Sequence, residues 1–316
     1  MRHDGWIGVD VAKDAIEVAR GAAGPVEHVA RTEAAVGQWA QTVPRDARVV
    51  LEATGGLEQL VVRVLRAAGR AVCVVNPRQV RDFAKAMGQL AKTDRLDARV
   101  LARFGAALEP RVTLATAADV ATVQALLDRR RQLVETRTAE KNRRQTAPAA
   151  TVRSIDEHIA WLDAQIARLD KAIDAAATQC SAIGEQLGRL EGIRGIGRIV
   201  ALTLLTHLRE LGTLDRKRIA ALAGLAPFAR DSGPKRGRRA IWGGRAEARA
   251  MLFIAARAAV RSEGPLRLFY ERLLSRGKPK KAALSAVARK LLTAINAMVR
   301  DDRPWDPALL AQPSCC

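Results

Sequence analysis

Gly5-Trp-Ile-Gly-Val-Asp-Val-Ala-Lys-Asp-Ala-Ile-Glu-Val-Ala19 decides the fold of the first third of this chain. Gly5–Asp10 reads as a strand that ends on a carboxylate, and Ala15–Ala19 as a second strand. Lys13 and Asp14 leave room only for a tight connection, so a hairpin opens the chain. Outward from it, Val26–Ala30 fits a third strand, Thr32–Gln41 a helix, and Arg48–Leu51 a short apolar strand that hands over to Glu52. Gly55 and Gly56 precede a helix from about Leu57 to Ala68, and Ala71–Val75 is a further strand stopped by Asn76 and Pro77. Strands separated by helices after an opening hairpin give a mixed α/β sheet.

Two carboxylates, Asp10 and Glu52, fall at strand ends in this reading. Asp94 and Asp97, in Ala91-Lys-Thr-Asp-Arg-Leu-Asp-Ala98, are spaced to project from one side of a helical turn. Each acid has an ordinary structural use: Asp10 ending a strand, Glu52 capping the next helix, Thr93 or Asp94 as an N-cap with Asp97 in the first turn. Taken together, in the order strand end, strand end, helix face, they fit a ribonuclease-H-like arrangement. Converging carboxylates would offer the hard oxygen donors that Mg²⁺ or Mn²⁺ takes, and such ions can polarise a phosphodiester.

Beyond Pro110 the pattern turns helical. Residues 118–146 carry Arg129, Arg130, Arg131, Arg137, Lys141, Arg143 and Arg144, read equally as a solvated face or a nucleic-acid contact. In residues 151–178 the apolar positions Val152, Ile155, Ile159, Leu162, Ile166, Leu169, Ile173 and Ala176 alternate spacings of three and four. That heptad seam is equally compatible with a helical hairpin and with an intermolecular coiled coil. The chain thus divides into 1–108, an α/β metal-binding domain; 109–185, a helical coiled-coil connector; and 186–316, a mostly α domain.

The last part opens with Leu190-Glu-Gly-Ile-Arg-Gly-Ile-Gly-Arg-Ile-Val-Ala201, a helix-hairpin-helix-like pattern. Gly195 and Gly197 there would expose backbone N–H groups to a DNA phosphate at the start of a helix. Further on, Phe228–Arg245 holds one hydroxyl, Ser232, among Arg230, Lys235, Arg236, Arg238, Arg239 and Arg245. A serine among cations and glycines suits attack on a phosphodiester, although Ser-Gly-Pro is also ordinary turn chemistry. His158, His207 and Tyr270 receive no role.

Charge follows the same division. The formal net charge is +20, and residues 229–290 hold 17 basic against 4 acidic side chains, whereas residues 1–108 hold 16 against 12. Such an excess attracts a polyanion, of which nucleic acid is the commonest. With aromatics at 3%, base readout by stacking has few residues to draw on. Cys73, Cys180, Cys315 and Cys316 are not spaced for a metal or a disulfide framework. Neither a leader nor a run long enough to span a bilayer is expected, which points to a reduced, cytoplasmic, nucleoid-associated protein without a membrane partner.

Several stretches together resemble one family. Gly8-Val-Asp-Val-Ala-Lys13, Glu52-Ala-Thr-Gly-Gly56, Asn76-Pro-Arg-Gln-Val-Arg-Asp-Phe-Ala84 and Ala91–Ala98 look like the N-terminal domain of insertion-sequence 110 family transposases. Gly192–Ala201, Ala229-Arg-Asp-Ser-Gly233, Ala240-Ile-Trp-Gly-Gly-Arg245 and Gly277–Lys281 through Lys290-Leu-Leu292 look like their C-terminal domain. The resemblance implies a RuvC-like domain with Asp10, Glu52, Asp94 and Asp97 as its acid set, and Ser232 as a nucleophile. It also implies a homo-oligomeric site-specific recombinase acting on donor and target DNA, with an element-encoded bridge RNA that pairs with both. Sequence readout by pairing agrees with the scarcity of aromatics. Two other activities fit the residues: a RuvC-like junction resolvase in which metal-activated water attacks, and a basic nucleic-acid-binding protein without catalysis.

Overall fold

The computed structural model describes residues 5–89, 94–113, 117–228 and 239–310, with the backbone but not the side chains of residues 94–96, 308 and 309. The chain forms two compact units, residues 1–115 and 116–316.

In the first unit, β1 (Trp6–Val11), β2 (Ala15–Arg20) and β3 (Val26–Ala30) form an antiparallel meander. After α1 (Glu33–Thr42) come β4 (Arg48–Glu52), α2 (Glu58–Ala67) and β5 (Ala71–Val75), followed by α3 (Pro77–Ala86) and α4 (Asp94–Leu108). β4 pairs parallel with both β1 and β5, giving a mixed sheet of order β3-β2-β1-β4-β5. The expected mixed α/β sheet is therefore present. Period-two alternation sends the two faces of the strands to separate cores. Ile7, Val9, Val11, Val49 and Leu51 pack with Val36 and Trp39 of α1 and Val61 and Leu65 of α2. On the opposite face, Trp6, Val50, Cys73 and Val75 pack with Val100, Leu101 and Phe104 of α4.

Asn76 and Pro77 end β5 as expected, and they also begin α3. The Asn76 side chain accepts from the Arg78 amide at 2.9 Å, and Pro77 occupies the first helical position, which lacks a hydrogen-bond duty for its nitrogen.

The second unit is helical. α5 (Ala118–Arg144) and α6 (Ala149–Gln179) form an antiparallel hairpin, with Leu133 buried against Leu162 and Ile166. Arg130 pairs with Asp170 at 2.5 Å, Arg137 with Asp163 at 2.7 Å, and Arg144 with Asp156. Each step of seven along α5 meets a step of seven back along α6, as an antiparallel heptad register requires. Among the two forms the seam allowed, the structure shows the hairpin. Three of the seven cations counted on α5 are neutralised by α6 within it.

α7 (Ser181–Glu191), α8 (Arg198–His207) and α9 (Arg216–Leu222) follow, then two short antiparallel strands, β6 (Pro227–Phe228) and β7 (Ala240–Ile241). α10 (Ala246–Ala259), α11 (Pro265–Ser275), α12 (Lys280–Arg300) and a 3-10 turn at Pro307–Leu310 complete the unit. The expectation of no segment long and apolar enough for a bilayer needs correction. α12 meets that test by length and composition, but half of its apolar stretch is buried inside the unit. Val287, Leu291, Leu292 and Ile295 face the core, and buried Asn296 accepts from the Gly212 amide at 3.0 Å and donates to Leu214 O at 2.9 Å. A helix at the centre of a helical core is apolar for the same reason as one in lipid.

Candidate functional site

Asp10 follows Val9 and Glu52 follows Leu51, and Val9 and Leu51 are register partners in the parallel β1–β4 pair. The two acids therefore stand at equivalent positions at the carboxyl ends of neighbouring strands. By strand alternation Asp10 shares the face of Gly8, and Glu52 that of Val50, which is the face packed on α4.

The course of α4 across that face follows from two glycines. A β-carbon on Gly105 would come within 2.6 Å of the Trp6 ring and 3.2 Å of Val50 Cγ1. One on Gly8 would collide with the backbone at Ala98 O and Ala102 N. Advancing from Trp6 to Gly8 along β1 thus retreats from Gly105 to Ala98–Ala102 along α4, so the helix runs antiparallel to the strand. Asp10 lies two residues beyond Gly8, and Asp97 and Asp94 begin the turn before Leu101. Glycine at position 8 is what allows this close approach, since the colliding groups are main chain and cannot swing aside.

Glu58 holds the loop after β4. Glu58 Oε2 accepts from the Thr54 amide at 3.0 Å, the Thr54 hydroxyl at 3.1 Å and the Gly56 amide at 2.9 Å. These are loop donors ahead of α2, whose N-cap, Leu57, makes no side-chain cap hydrogen bond. The side chain of Asp94 lies outside the described residues. Among the described residues no three His, Cys, Asp or Glu side chains form a metal-sized cluster. The all-oxygen donor types and the shared strand ends of Asp10 and Glu52 fit a hard divalent ion.

Ser232, Arg230, Lys235, Arg236 and Arg238 also lie outside the described residues. The chain enters and leaves their segment through β6 and β7, with Phe228 opposite Ala240 and Pro227 opposite Ile241. Arg239, just before β7, is exposed. The base of this hairpin is tightly tied. Gly244, at φ +67°, leaves no room for a β-carbon against the Gly224 main chain and Leu222 O, the latter at 2.7 Å. Arg249 donates to Gly243 O, and the Arg245 amide to Leu222 O at 2.8 Å.

Arg245 differs from the nucleic-acid contact expected of it. Its two terminal nitrogens bond Glu210 at 2.5 and 2.6 Å, and one also donates to His207 O at 2.7 Å. A cation count along the chain registers the charge but not the acid that neutralises it. Burial pushes the Glu210 carboxyl up, but the Arg245 hydrogen bond and charge outweigh it and hold the group below its ordinary value. A carboxyl lowered in the folded state stabilises above its unfolded pKa, and the effect is lost as pH falls through the lowered value. Glu210→Gln should therefore cost about 2 kcal/mol at neutral pH, leaving a half-buried guanidinium without its counter-charge. In thermal denaturation the gap between parent and variant should narrow as pH drops below the usual carboxylate range.

The turn 192–197 joins α7 to α8. Gly195, at φ +93°, lies against α10, where a β-carbon would come within 2.8 Å of Ala255 O and 2.9 Å of Ala259 N. Gly197 is the N-cap of α8, and a β-carbon there would meet no atom within 4 Å. Packing thus explains the glycine at 195, while the backbone at 197 is approachable. Two further groups had no sequence signal. His207 is nearly buried, its Nε2 3.7 Å from Asp128 Oδ1, and desolvation pushes the imidazole below its ordinary value against the pull of Asp128 and Glu247. Phe228 and Trp242 stand half-exposed beside each other at the hairpin.

Comparison with known proteins agrees with both halves of the chain. Residues 7–147 match the model of the IS110 DEDD transposases, described as "Transposase", and residues 187–271 match that of the "Transposase IS116/IS110/IS902 family". The chain is 31% identical over 267 residues to the pilin gene-inverting protein of Moraxella bovis, covering 82% of this chain and 81% of that one. The Moraxella lacunata protein of the same name is equally similar over the same length. The insertion element IS110 43.6 kDa protein of Streptomyces coelicolor is 28% identical over 183 residues, covering 50% of this chain and 45% of the relative. The chain belongs to the IS110/IS116/IS902 family of transposases, DNA-cutting enzymes of insertion-sequence recombination.

Proposed function

We propose that this transposase cuts and rejoins DNA through a covalent phosphoserine link at Ser232. Its first unit has a ribonuclease-H-like, RuvC-like fold in this reading, supported by the order β3-β2-β1-β4-β5 with an antiparallel meander beside parallel strands. Asp10, Glu52, Asp94 and Asp97 are its Mg²⁺-holding or Mn²⁺-holding acids. The observation that carries the assignment is the shared register and face of Asp10 and Glu52, with the acidic first turn of α4 running toward them.

The Ser232 hydroxyl attacks phosphorus, a Ser Oγ–P bond forms, and one strand P–O bond breaks. Return attack by a strand hydroxyl reverses both changes, releasing serine and restoring a phosphodiester without net hydrolysis. A divalent ion, when bound, supplies Lewis-acid stabilisation of phosphoryl charge. Arg230, Lys235, Arg236, Arg238 and Arg239 hold the phosphates, and the N-terminus of α8 at Gly197 takes a further one. The relatives named for inverting a pilin gene favour rejoining, since an inverted segment must be sealed at both ends. A bridge RNA selects donor and target, and the working form is a homo-oligomer. RNA sequencing of material bound to the purified protein tests that guide; recovery of no discrete RNA would refute it.

Incubating the chain with labelled DNA and Mg²⁺, then separating on a denaturing gel, tests the chemistry. Protein-linked DNA is expected. Cut DNA with free ends throughout would instead favour a hydrolytic junction resolvase.

A further inference from the structure

Of the chain's eleven aromatic side chains, Trp6, Trp39 and Phe104 are buried and five more are partly buried, while Trp161 on α6 is exposed. Phe228 and Trp242 are 50% and 49% exposed, in neighbouring positions on the hairpin that carries the Ser232 segment. Their rings meet edge to face, with centroids 6.5 Å apart at 84°. Ile241 packs against the helical core, so strand alternation turns Trp242 the other way, and the Gly224–Gly244 contact and the Arg245–Glu210 pair fix the main chain behind it. Two large apolar rings held at half exposure on a rigid base resemble a binding surface more than a packing remnant. By sequence, the segment between them carries Arg230, Lys235, Arg236, Arg238 and Arg239 against Asp231. An apolar ring pair joined by so basic a stretch of sequence, with Arg239 exposed just before β7, complements a ligand with flat π faces on a polyanionic backbone.

We propose that Phe228 and Trp242 form a stacking seat for an unpaired nucleobase of the DNA strand being cut. Exchanging strands requires base pairs beside the cut to open, and an opened base has lost a stacking partner that an aromatic side chain replaces. The scarcity of aromatics elsewhere does not oppose this, because one base needs one seat. The inference rests on the proposed role of the Ser232 segment in cutting.

The test uses the full-length chain and two fluorescently labelled DNAs of one sequence, one fully paired and one with a short unpaired bubble, followed by anisotropy. The parent should bind the bubble more tightly. Trp242→Ala, with an unchanged melting temperature, should lose about ten-fold on the bubble and less than about two-fold on the duplex. Trp242→Phe should keep most of the preference, and Phe228→Ala should lose part of it. Equal losses on both DNAs, a parent without preference, or unchanged bubble binding by folded Trp242→Ala would overturn the proposal. Loss of self-association with bubble binding intact would assign the rings to a second copy of the chain and also overturn it. Ser232→Ala should keep the bubble preference, so an adduct that survives Ser232→Ala would sink the serine assignment and leave the stacking result standing.

Discussion

Ser232→Ala should bind DNA as the parent does and form no covalent product, a fall of at least about a thousand-fold in adduct on a denaturing gel. Alanine keeps the β-carbon and removes the one atom that can bond to phosphorus. The hairpin that delivers the segment is held by contacts that do not involve position 232: Gly224 against Gly244, Arg249 on Gly243 O, and Arg245 on Glu210. A melting temperature and DNA affinity equal to the parent's would therefore accompany the loss. Adduct persisting in this variant would remove Ser232 from the chemistry.

Asp10→Asn and Glu52→Gln should each lower strand cleavage by at least about a hundred-fold and abolish its dependence on added Mg²⁺. Both substitutions preserve size and remove negative charge, so they separate ion-holding from packing. Asp46→Asn, an exposed acid in the loop before β4, is the matched control and should cleave normally. Full cleavage by Asp10→Asn would exclude that carboxylate as a ligand. Activity restored by a different divalent ion would also retain the assignment, because ligand changes alter ion preference before they alter fold.

Much of the first unit was legible because its strands alternate cleanly and its turns carry glycine or a tight Lys-Asp pair. Asp10 and Glu52 were legible as strand-end acids, and the parallel β1–β4 register is what sets them side by side. Less visible was why position 8 is glycine: the Ala98 carbonyl that excludes a side chain lies far along the chain. Asn76-Pro77 marked the end of β5 correctly, and that the same pair starts a helix was not read from it. The heptad seam of α6 reports an apolar stripe without naming its partner, which the Leu133 contact and the Arg–Asp pairs spaced by sevens identify as α5. At Arg245 the sequence shows a cation, while the carboxylate that pairs with it, Glu210, lies in the turn after α8. β6 and β7 span two residues each, too few for periodicity, so the Phe228–Trp242 pair could be found only in three dimensions.

The most direct measurement is to trap the covalent complex, digest it, and locate the DNA phosphate on the protein by mass spectrometry. The account predicts one modified peptide, with the phosphate on Ser232 and its yield dependent on Asp10. A phosphate on any other residue, or cleaved DNA with none attached to protein, would contradict it.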